Sequence, residues 1–442
     1  MDPQLELKTT SWLGLTPPTW FFLLLALFFV GQSVKYSIKV SEKRSAIQRW
    51  QPQILGLDQG EDLAEKYQYP NPPIMALLLY PLAKLPPVAM ALTWYYLKVG
   101  MIILCFHWVF SLLGEGGLLF PFWAKVLAVL LSLRALTGDL QHGNVNIFIL
   151  FLVTGGVYLF ARRKEAQGGL LIGLAVACKV TPALFIPYFV WKRSWKALAG
   201  VAAGLVLFLW PGVVPGLVLG FEENQKQVAS WYKEMVHPFI VEGKVWSEHN
   251  NQSLPGLAYR LLGNNPSFSD YVEGQYTPTE YHNVANWGSG SLRWLLKAGM
   301  CCVALLVVLF CVFPKSGPFQ GALTAEFAIV VLGMLLFSER TWKHHCVTLV
   351  LPFSVFAYSL AGGLGGAPGK WISLGCLATS TFLMSLTSTG LLNDHFAKMA
   401  QVYGCYTWAF VIQLAGLFGI LWLEKKKGQA TKTQPDLLVQ AA

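Results

Sequence analysis

Four polar clusters interrupt an otherwise apolar chain, and their residue types suit the handling of protons, phosphates and carbohydrate. The first is Gly138-Asp139-Leu140-Gln141-His142-Gly143-Asn144-Val145-Asn146, which places an acid, a histidine and three amides where a few turn residues would suffice. The same link also suits a turn in which Asn144 caps the next helix, and both readings stand. The second is Lys179-Val180-Thr181-Pro182, a lysine between two short apolar runs. A cation there is costly unless it meets a counter-charge. A lipid phosphate is such a partner, with the following helix N-terminus adding its dipole. A lysine that snorkels to the interface is the alternative. The third is Ser338-Glu339-Arg340-Thr341-Trp342-Lys343-His344-His345, a compact cationic cluster. Adjacent histidines on a helix point about 100° apart, so His344 and His345 are poor joint ligands for one metal. One of them bonding a phosphate while the other packs is the more natural arrangement. Trp342 suits either a sugar face or an interfacial anchor.

The fourth cluster supplies acids. The stretch 39–72 holds Glu42, Asp58, Glu61, Asp62 and Glu65 and leads into Tyr69-Pro70-Asn71-Pro72-Pro73. A carboxylate near the outer end of the first helix could take a proton from a sugar hydroxyl, and Glu42, Asp58 and the more distant Asp139 are the candidates. A solvated loop of mixed charge is the plain alternative for any one of them. The prolines fix a bend where the chain meets the membrane. A second polar stretch, 221–290, adds Asn250-Asn251-Gln252-Ser253-Leu254 with Trp231, Tyr232, Trp246 and Trp287. Amides and aromatic rings suit carbohydrate recognition. Asn251 also heads an Asn-Gln-Ser glycosylation sequon.

The elements that must position these clusters are membrane helices. Of 442 residues 54% are hydrophobic and 13% charged, about half the charged share of an ordinary soluble domain. Apolar runs of roughly 18 residues or more recur, each long enough to cross a hydrocarbon core. Backbone groups in lipid must bond within their own segment, so these runs are helices. The expected fold is an all-α polytopic membrane protein of about 12 transmembrane helices, forming one domain over 1–423. Its two long extracytoplasmic loops are 39–72 and 221–290, and 424–442 is a polar, disordered cytoplasmic tail. Spans are expected near 19–38, 88–113, 118–137, 145–161, 197–219, 292–313, 321–337, 345–363, 371–388 and 404–423. The segment 169–191 reads as two short helices meeting at Lys179, and Pro72 to Pro87 lies along or re-enters the membrane. The first run lacks a basic n-region and a cleavage site, so it reads as a retained anchor.

The formal charge of +10 comes from short basic clusters beside apolar runs, which orient the chain. No basic groove or stacking pattern points to nucleic acid. Arg162-Arg163-Lys164, Lys192-Arg193, Lys315, Lys370 and Lys425-Lys426-Lys427 fall on one side if the segments alternate. That side is then cytoplasmic. The basic residues of 39–72 run against this assignment. The eight cysteines lie in or beside apolar runs with no CxxC pair, so neither a disulfide framework nor structural zinc is expected. No carboxylate pair has metal-ligand spacing, and no cofactor is implied.

Taken in order, these motifs resemble glycosyltransferase family 87, the polyprenyl-phosphate-mannose-dependent mannosyltransferases of the GT-C class. Tyr69-Pro70-Asn71-Pro72-Pro73 is similar to the family's Tyr-Pro-Pro. Gly143-Asn144-Val145-Asn146 resembles Gly-Gln-Val-Asn, with Asn144 in place of Gln. Gly173-Leu174-Ala175 through Pro182 resembles Gly-Leu-Ala…Lys-x-x-Pro. Trp342-Lys343-His344-His345 resembles Trp-x-His-His, and Asn251-Gln252-Ser253-Leu254 resembles Asn-Gln-Ser-Leu. The resemblance covers roughly 70–350. It implies a polyprenyl-phosphate sugar donor, a glycolipid or glycan acceptor, and inverting transfer at the outer face of the cell (inner) membrane. By position Lys179 and His344, joined by Arg340 and His345, would hold the donor phosphate. Tyr69, His142, Asn144, Asn146, Asn251, Gln252 and Trp342 would contact substrate. The family's base is an aspartate just after the first helix. Here that region reads Lys39-Val40-Ser41-Glu42-Lys43-Arg44, with Glu42 the nearest acid. The competing reading is a transporter or flippase of a lipid-linked sugar. Transporters commonly show paired broken helices in two repeats, whereas only one broken pair, at 169–191, is visible here.

Overall fold

The computed structural model describes residues 16–115, 118–272, 275–315 and 320–440. The chain opens with α1 (Pro17–Ser41) and three short helices, α2 (Ala46–Leu55), α3 (Leu63–Tyr67) and α4 (Pro73–Ala83). A bundle follows: α5 (Pro87–Gly114), α6 (Phe122–His142), α7 (Asn146–Ala161), α8 (Glu165–Cys178), α9 (Phe185–Trp191), α10 (Trp195–Phe208) and α11 (Val213–Leu219). The stretch 221–290 folds into α12 (Phe221–Trp231), α13 (His237–Ile240), α14 (Leu254–Leu262) and a hairpin of β1 (Phe268–Val272) and β2 (Gln275–Glu280). The bundle resumes with α15 (Ser289–Phe310), α16 (Gln320–Leu336), α17 (Val350–Leu360), α18 (Gly366–Ser385), α19 (Asp394–Val402) and α20 (Cys405–Gln440).

The all-α expectation holds apart from that hairpin. Among the described residues five segments are long and apolar enough to cross a membrane: Pro17–Ser41, Pro87–Gly114, Trp195–Leu219, Ser289–Phe310 and Cys405–Gln429. Shorter apolar helices pack between them. Every residue of α16 from Gly321 to Leu336 is buried, which marks the centre of the bundle, since a helix apolar on all sides must be covered on all sides. On α1, by contrast, Phe22, Leu24 and Leu27 are more than half exposed, as expected of a face turned to lipid. The Pro72–Pro87 stretch forms α4, whose 11 residues are too few to span. One local expectation changes: the polar tail does not leave the helix at 423, because α20 continues to Gln440.

The seam between α8 and α10 is made by glycine. Gly169 and Gly173 on one helix face Gly200 and Gly204 on the other. A Cβ on Gly169 would lie 2.0 Å from the carbonyl oxygen of Ala197, and one on Gly200 2.1 Å from that of Ala166. Small residues four apart let two helix backbones touch. This seam fixes the height of Lys179, the residue that directly follows α8.

Polar pairs sort the bundle into two ends. At one, Arg162 pairs with Glu115, Lys315 with Glu165, Lys192 with Glu326, and Glu424 accepts from the Gly365 N–H. At the other, Lys39 donates to the Gln141 carbonyl, Asn144 meets His344, Asn251 meets Glu339 and Lys343 meets Thr387. Much of the basic excess read from the sequence therefore gathers at the end opposite the candidate chemistry. The basic residues of 39–72 find a different place. α2 is amphipathic, burying Ile47, Trp50 and Ile54 against α4 and α5.

Candidate functional site

The site grows from one buried carboxylate. Asp139, in the last turn of α6, is fully buried, as is Lys98 in α5. Lys98 Nζ donates to Asp139 Oδ2 at 3.1 Å and to the carbonyls of Asp139 and Asn144 at 3.0 and 3.1 Å. The other carboxylate oxygen, Oδ1, accepts from Asn146 Nδ2 at 2.9 Å. Asn146 opens α7, and its own Oδ1 accepts from Lys179 Nζ at 2.6 Å. The sequence Lys98–Asp139–Asn146–Lys179 thus runs through α5, α6, α7 and the end of α8. Asp139 and Lys98 neutralise one another. Lys179 is aimed by a neutral amide, with the carboxylates of Glu339 and Asp139 within electrostatic reach but neither hydrogen-bonded to it among the described contacts, and a buried cation so placed can take a further anion.

Lys179 lines a cavity of about 340 Å³, counting its open mouth. Asn146, Thr181, Ser338, Arg340, Thr341, His345 and Thr348 share the wall. Arg340 stacks its guanidinium over Phe239 and Trp246, 5.0 and 4.6 Å from the ring centres. The 3-10 turn Lys343–Leu349 carries both histidines. His345 Nδ1 lies 3.3 Å from the Trp342 backbone nitrogen and 3.2 Å from the Arg340 carbonyl oxygen. Two lysine- or arginine-borne charges with hydroxyl and imidazole donors around one hollow suit a phosphate group.

His344 faces another way. It stacks on His142 with ring centres 4.5 Å apart, and Asn144 Nδ2 lies 3.3 Å from its Nε2. Burial and the neighbouring His142 push His344 down to about 3, so the ring is neutral and can offer a hydrogen bond but not a charge. Gly143 makes this corner possible. It takes a left-handed φ of 71°, and a Cβ there would lie 2.4 Å from both Ser45 Oγ and Tyr36 Oη. Asn144 does not cap α7. Val145 holds that position, and Asn144 Oδ1 instead accepts from the Val145 N–H at 2.7 Å.

The structure brings Asp139, His142, Asn144, Asn146, Lys179, Arg340, Trp342, His344 and His345 to one end of the bundle. It does not bring all of the predicted residues together. Glu42 ends α1 as an exposed side chain paired with Arg44 at 3.1 Å. Asp58 accepts from the Tyr80 hydroxyl on an exposed surface. Asp139 has both carboxylate oxygens engaged, so in this arrangement it positions Asn146 and Lys98 rather than offering a free base. Tyr69 is buried against Trp50. Asn251 and Gln252 are fully buried and spent on the chain itself. Asn251 donates to the Trp246 and Glu339 carbonyls and accepts from the Ser253 and Thr341 N–H groups. Gln252 donates to the His249 and Gln401 carbonyls and accepts from the Tyr406 N–H. These amides tie 221–290 to the Arg340 turn and to α20, which places Arg340 rather than a sugar.

Three residues escaped the sequence reading. Lys98 sits mid-run in an apolar segment, and a lone lysine there is itself the signal. Arg260 is fully buried and donates to five carbonyls, those of Val402, Ser247, Glu248, Asn251 and Gln401, knitting the outer layer together. Glu248 accepts from Trp246 Nε1 at 3.2 Å, and so stands one ring away from Arg340. Burial pushes its carboxyl above the usual range.

The sequence model of Glycosyltransferase family 87 matches residues 69–339, more than half of the chain. That range contains Lys98, Asp139, Asn146, Lys179 and Asn251. A polyprenol-phosphate-mannose-dependent alpha-(1-2)-phosphatidylinositol mannoside mannosyltransferase of Mycobacterium tuberculosis is 25% identical over 305 residues, covering 68% of this chain and 59% of the relative. A polyprenol-phosphate-mannose-dependent alpha-(1-2)-phosphatidylinositol pentamannoside mannosyltransferase of Mycolicibacterium smegmatis is 27% identical over 295 residues, 66% of this chain and 61% of the relative. An alpha-(1->3)-arabinofuranosyltransferase of Corynebacterium glutamicum is 28% identical over 368 residues, 81% of this chain and 76% of the relative. The chain thus spans about 60% of the length of the two mannosyltransferases. No solved structure matches it. With the family pattern laid over most of the bundle and over the buried Lys98–Lys179 network, the chain belongs to glycosyltransferase family 87.

Proposed function

We propose that this protein transfers a hexose, mannose, from a polyprenyl phosphate to a lipid or glycan acceptor. The reaction is placed at the extracytoplasmic face of the cell membrane, in a polytopic GT-C-like bundle of about 12 spans. The observation that carries the reading is Lys179. It is held by Asn146 in a cavity that also presents Arg340 and His345; of the two acids within its electrostatic reach, Asp139 is matched by Lys98 and Glu339 makes no ion pair with it among the described residues. In an inverting single displacement the acceptor oxygen bonds to the anomeric carbon as the bond from that carbon to the phosphate oxygen breaks. The departing polyprenyl phosphate gains charge at that oxygen. Lys179 and Arg340 stabilise it, which is the type of electrostatic assistance that contributes most in such steps. His345 and the hydroxyls of Thr181 and Thr348 add hydrogen bonds. The basic clusters at the opposite end of the bundle support an outward-facing site.

The acceptor proton must pass to a base. Glu42 and Asp58 remain candidates by their sequence position, and Asp139 by its nearness. Glu248 fits the role better. Its raised proton affinity suits a base, among the described residues no lysine pairs with it, and Trp246 links it to Arg340. The mannosyltransferase relatives favour mannose, whereas the arabinofuranosyltransferase relative favours a different sugar as the second reading.

Purified protein incubated with labelled polyprenyl-phosphate-mannose and membrane glycolipid tests the proposal. Labelled glycolipid with release of polyprenyl phosphate is expected. Movement of intact donor across vesicles without bond cleavage would replace the proposal with transport. Glu42→Gln, Asp58→Asn, Asp139→Asn and Glu248→Gln, assayed side by side, assign the base. Full activity in all four would end the mechanism as written.

A further inference from the structure

A second cationic site lies on the far side of the Lys343–Leu349 turn from the cavity. Arg134 projects from α6 five residues before Asp139. It is exposed, on a face that also exposes Leu130 and Gly138. Its Nη1 donates to the Met384 carbonyl at 2.7 Å and its Nη2 lies 3.4 Å from Thr387 Oγ1. Lys343 Nζ donates to the carbonyl of the same Thr387 at 2.8 Å. Two cations therefore meet at one residue at the end of α18. Among the described residues neither has a carboxylate partner; their contacts are carbonyls and a hydroxyl.

Capping the C-terminus of α18 explains one such cation, because the last carbonyls of a helix carry about half a negative charge. It does not explain two. Arg134 still has unused N–H groups on an exposed face of a membrane helix, where an unmatched guanidinium is costly. Burial and the nearby Arg134 push Lys343 down to about 8, the mark of a positive charge short of a counter-ion. An anion at this point would satisfy both groups, and the face of α6 that bears Arg134 also exposes the apolar Leu130.

We propose that Arg134 and Lys343 bind the phosphate of a membrane lipid headgroup, at a site separate from the Lys179 cavity and reached from the leaflet along α6. Arg134 supplies planar paired donors and Lys343 a point charge, a combination suited to a phosphodiester. The inference rests on the membrane-spanning fold and not on sugar transfer, so it stands or falls apart from the proposed activity.

The test uses the full chain in detergent. Native mass spectrometry with dioleoyl phosphatidylglycerol, dioleoylglycerol or inorganic phosphate reads binding directly. Retained phosphatidylglycerol adducts are expected on the parent protein, with no comparable retention of dioleoylglycerol. The Arg134→Gln/Lys343→Gln pair should bind roughly tenfold more weakly or worse, and Arg134→Lys should keep part of the affinity. Equal retention of dioleoylglycerol, or unchanged binding by the pair, would overturn the site. Saturation by millimolar inorganic phosphate in place of the lipid would overturn the headgroup assignment. Should the double variant fail to fold, a photoreactive phosphatidylglycerol on the parent protein decides. Crosslinks to peptides bearing Arg134 or Thr387 support the proposal, and crosslinks confined to other helices refute it.

Discussion

Two buried lysine–acid pairs sit at opposite ends of this bundle, and they have been put to different uses. At the basic end Glu326, fully buried in α16, accepts from Lys192 Nζ and from the Tyr188 hydroxyl at 2.7 Å each, and from the Phe313 N–H at 2.8 Å. Lys192 also donates to the Phe313 carbonyl. Every contact closes back on the protein, so the pair is a clasp between α9, α16 and the chain after α15. At the other end Lys98 and Asp139 form an equally buried pair, but Asn146 leads out of it to Lys179 and the cavity. A buried charge points to chemistry when its network ends on a group with a hollow in front of it. Without that ending it points to stability.

The sharpest way to break the contrast is Lys179→Met. Sugar transfer should fall about 10²- to 10³-fold, the usual loss for one charge-stabilising donor, while thermal stability stays within about 1 kcal/mol of the parent. A steady-state assay beside a melting curve reads both. Glu326→Ala should do the reverse. Leaving Lys192 buried and unmatched costs about 3–5 kcal/mol, and whatever protein folds should keep its KM for the donor. Asp139→Ala should show both losses at once, because it strips Lys98 of its partner and frees Asn146. Gly200→Leu follows in size. It forces α8 away from α10 and should cost about 1–3 kcal/mol by overpacking, with a raised donor KM as Lys179 is displaced.

The smallest effect is expected from acid. Burial holds His249 down to about 4 in the folded outer layer, against about 6.5 for a free histidine. The unfolded chain then binds the extra proton as pH falls between those values. The stabilisation is therefore complete above pH 6.5 and lost on the way to 4. Limited proteolysis within 221–290 should quicken from pH 7 to pH 5, and His249→Gln should flatten that dependence.

Much of this was legible in the sequence. The apolar runs announced the bundle, and the costly polar interruptions announced the site, because charge in such surroundings persists only with a partner or a task. Asn146, Lys179, Arg340 and His345 were found in that way and do share one cavity. The acids were harder. Glu42 was named for its place after the first helix, but spacing along a chain does not show which way a helix-ending side chain turns, and this one turns to Arg44. Asn251 and Gln252 looked like sugar ligands because amides bind sugars. Their partners are backbone groups nearly 90 and 150 residues away, a relation that no local pattern displays. Lys98 was legible in principle, a single charge in the middle of α5, and was hidden only by the greater conspicuousness of the loops.

The glycine seam has a mechanical consequence. Because α8 and α10 meet backbone to backbone, with no side chain between them to change rotamer, the wall bearing Lys179 cannot yield by small repacking. The proposed donor, a polyprenyl phosphate with its sugar, is larger than the hollow in front of Lys179. Room for it has to be made by the facing side, where Ser338 to Thr348 leave the regular helix for a 3-10 turn. The protein is therefore built as an anvil and a jaw, with the cation fixed on the part that stays still.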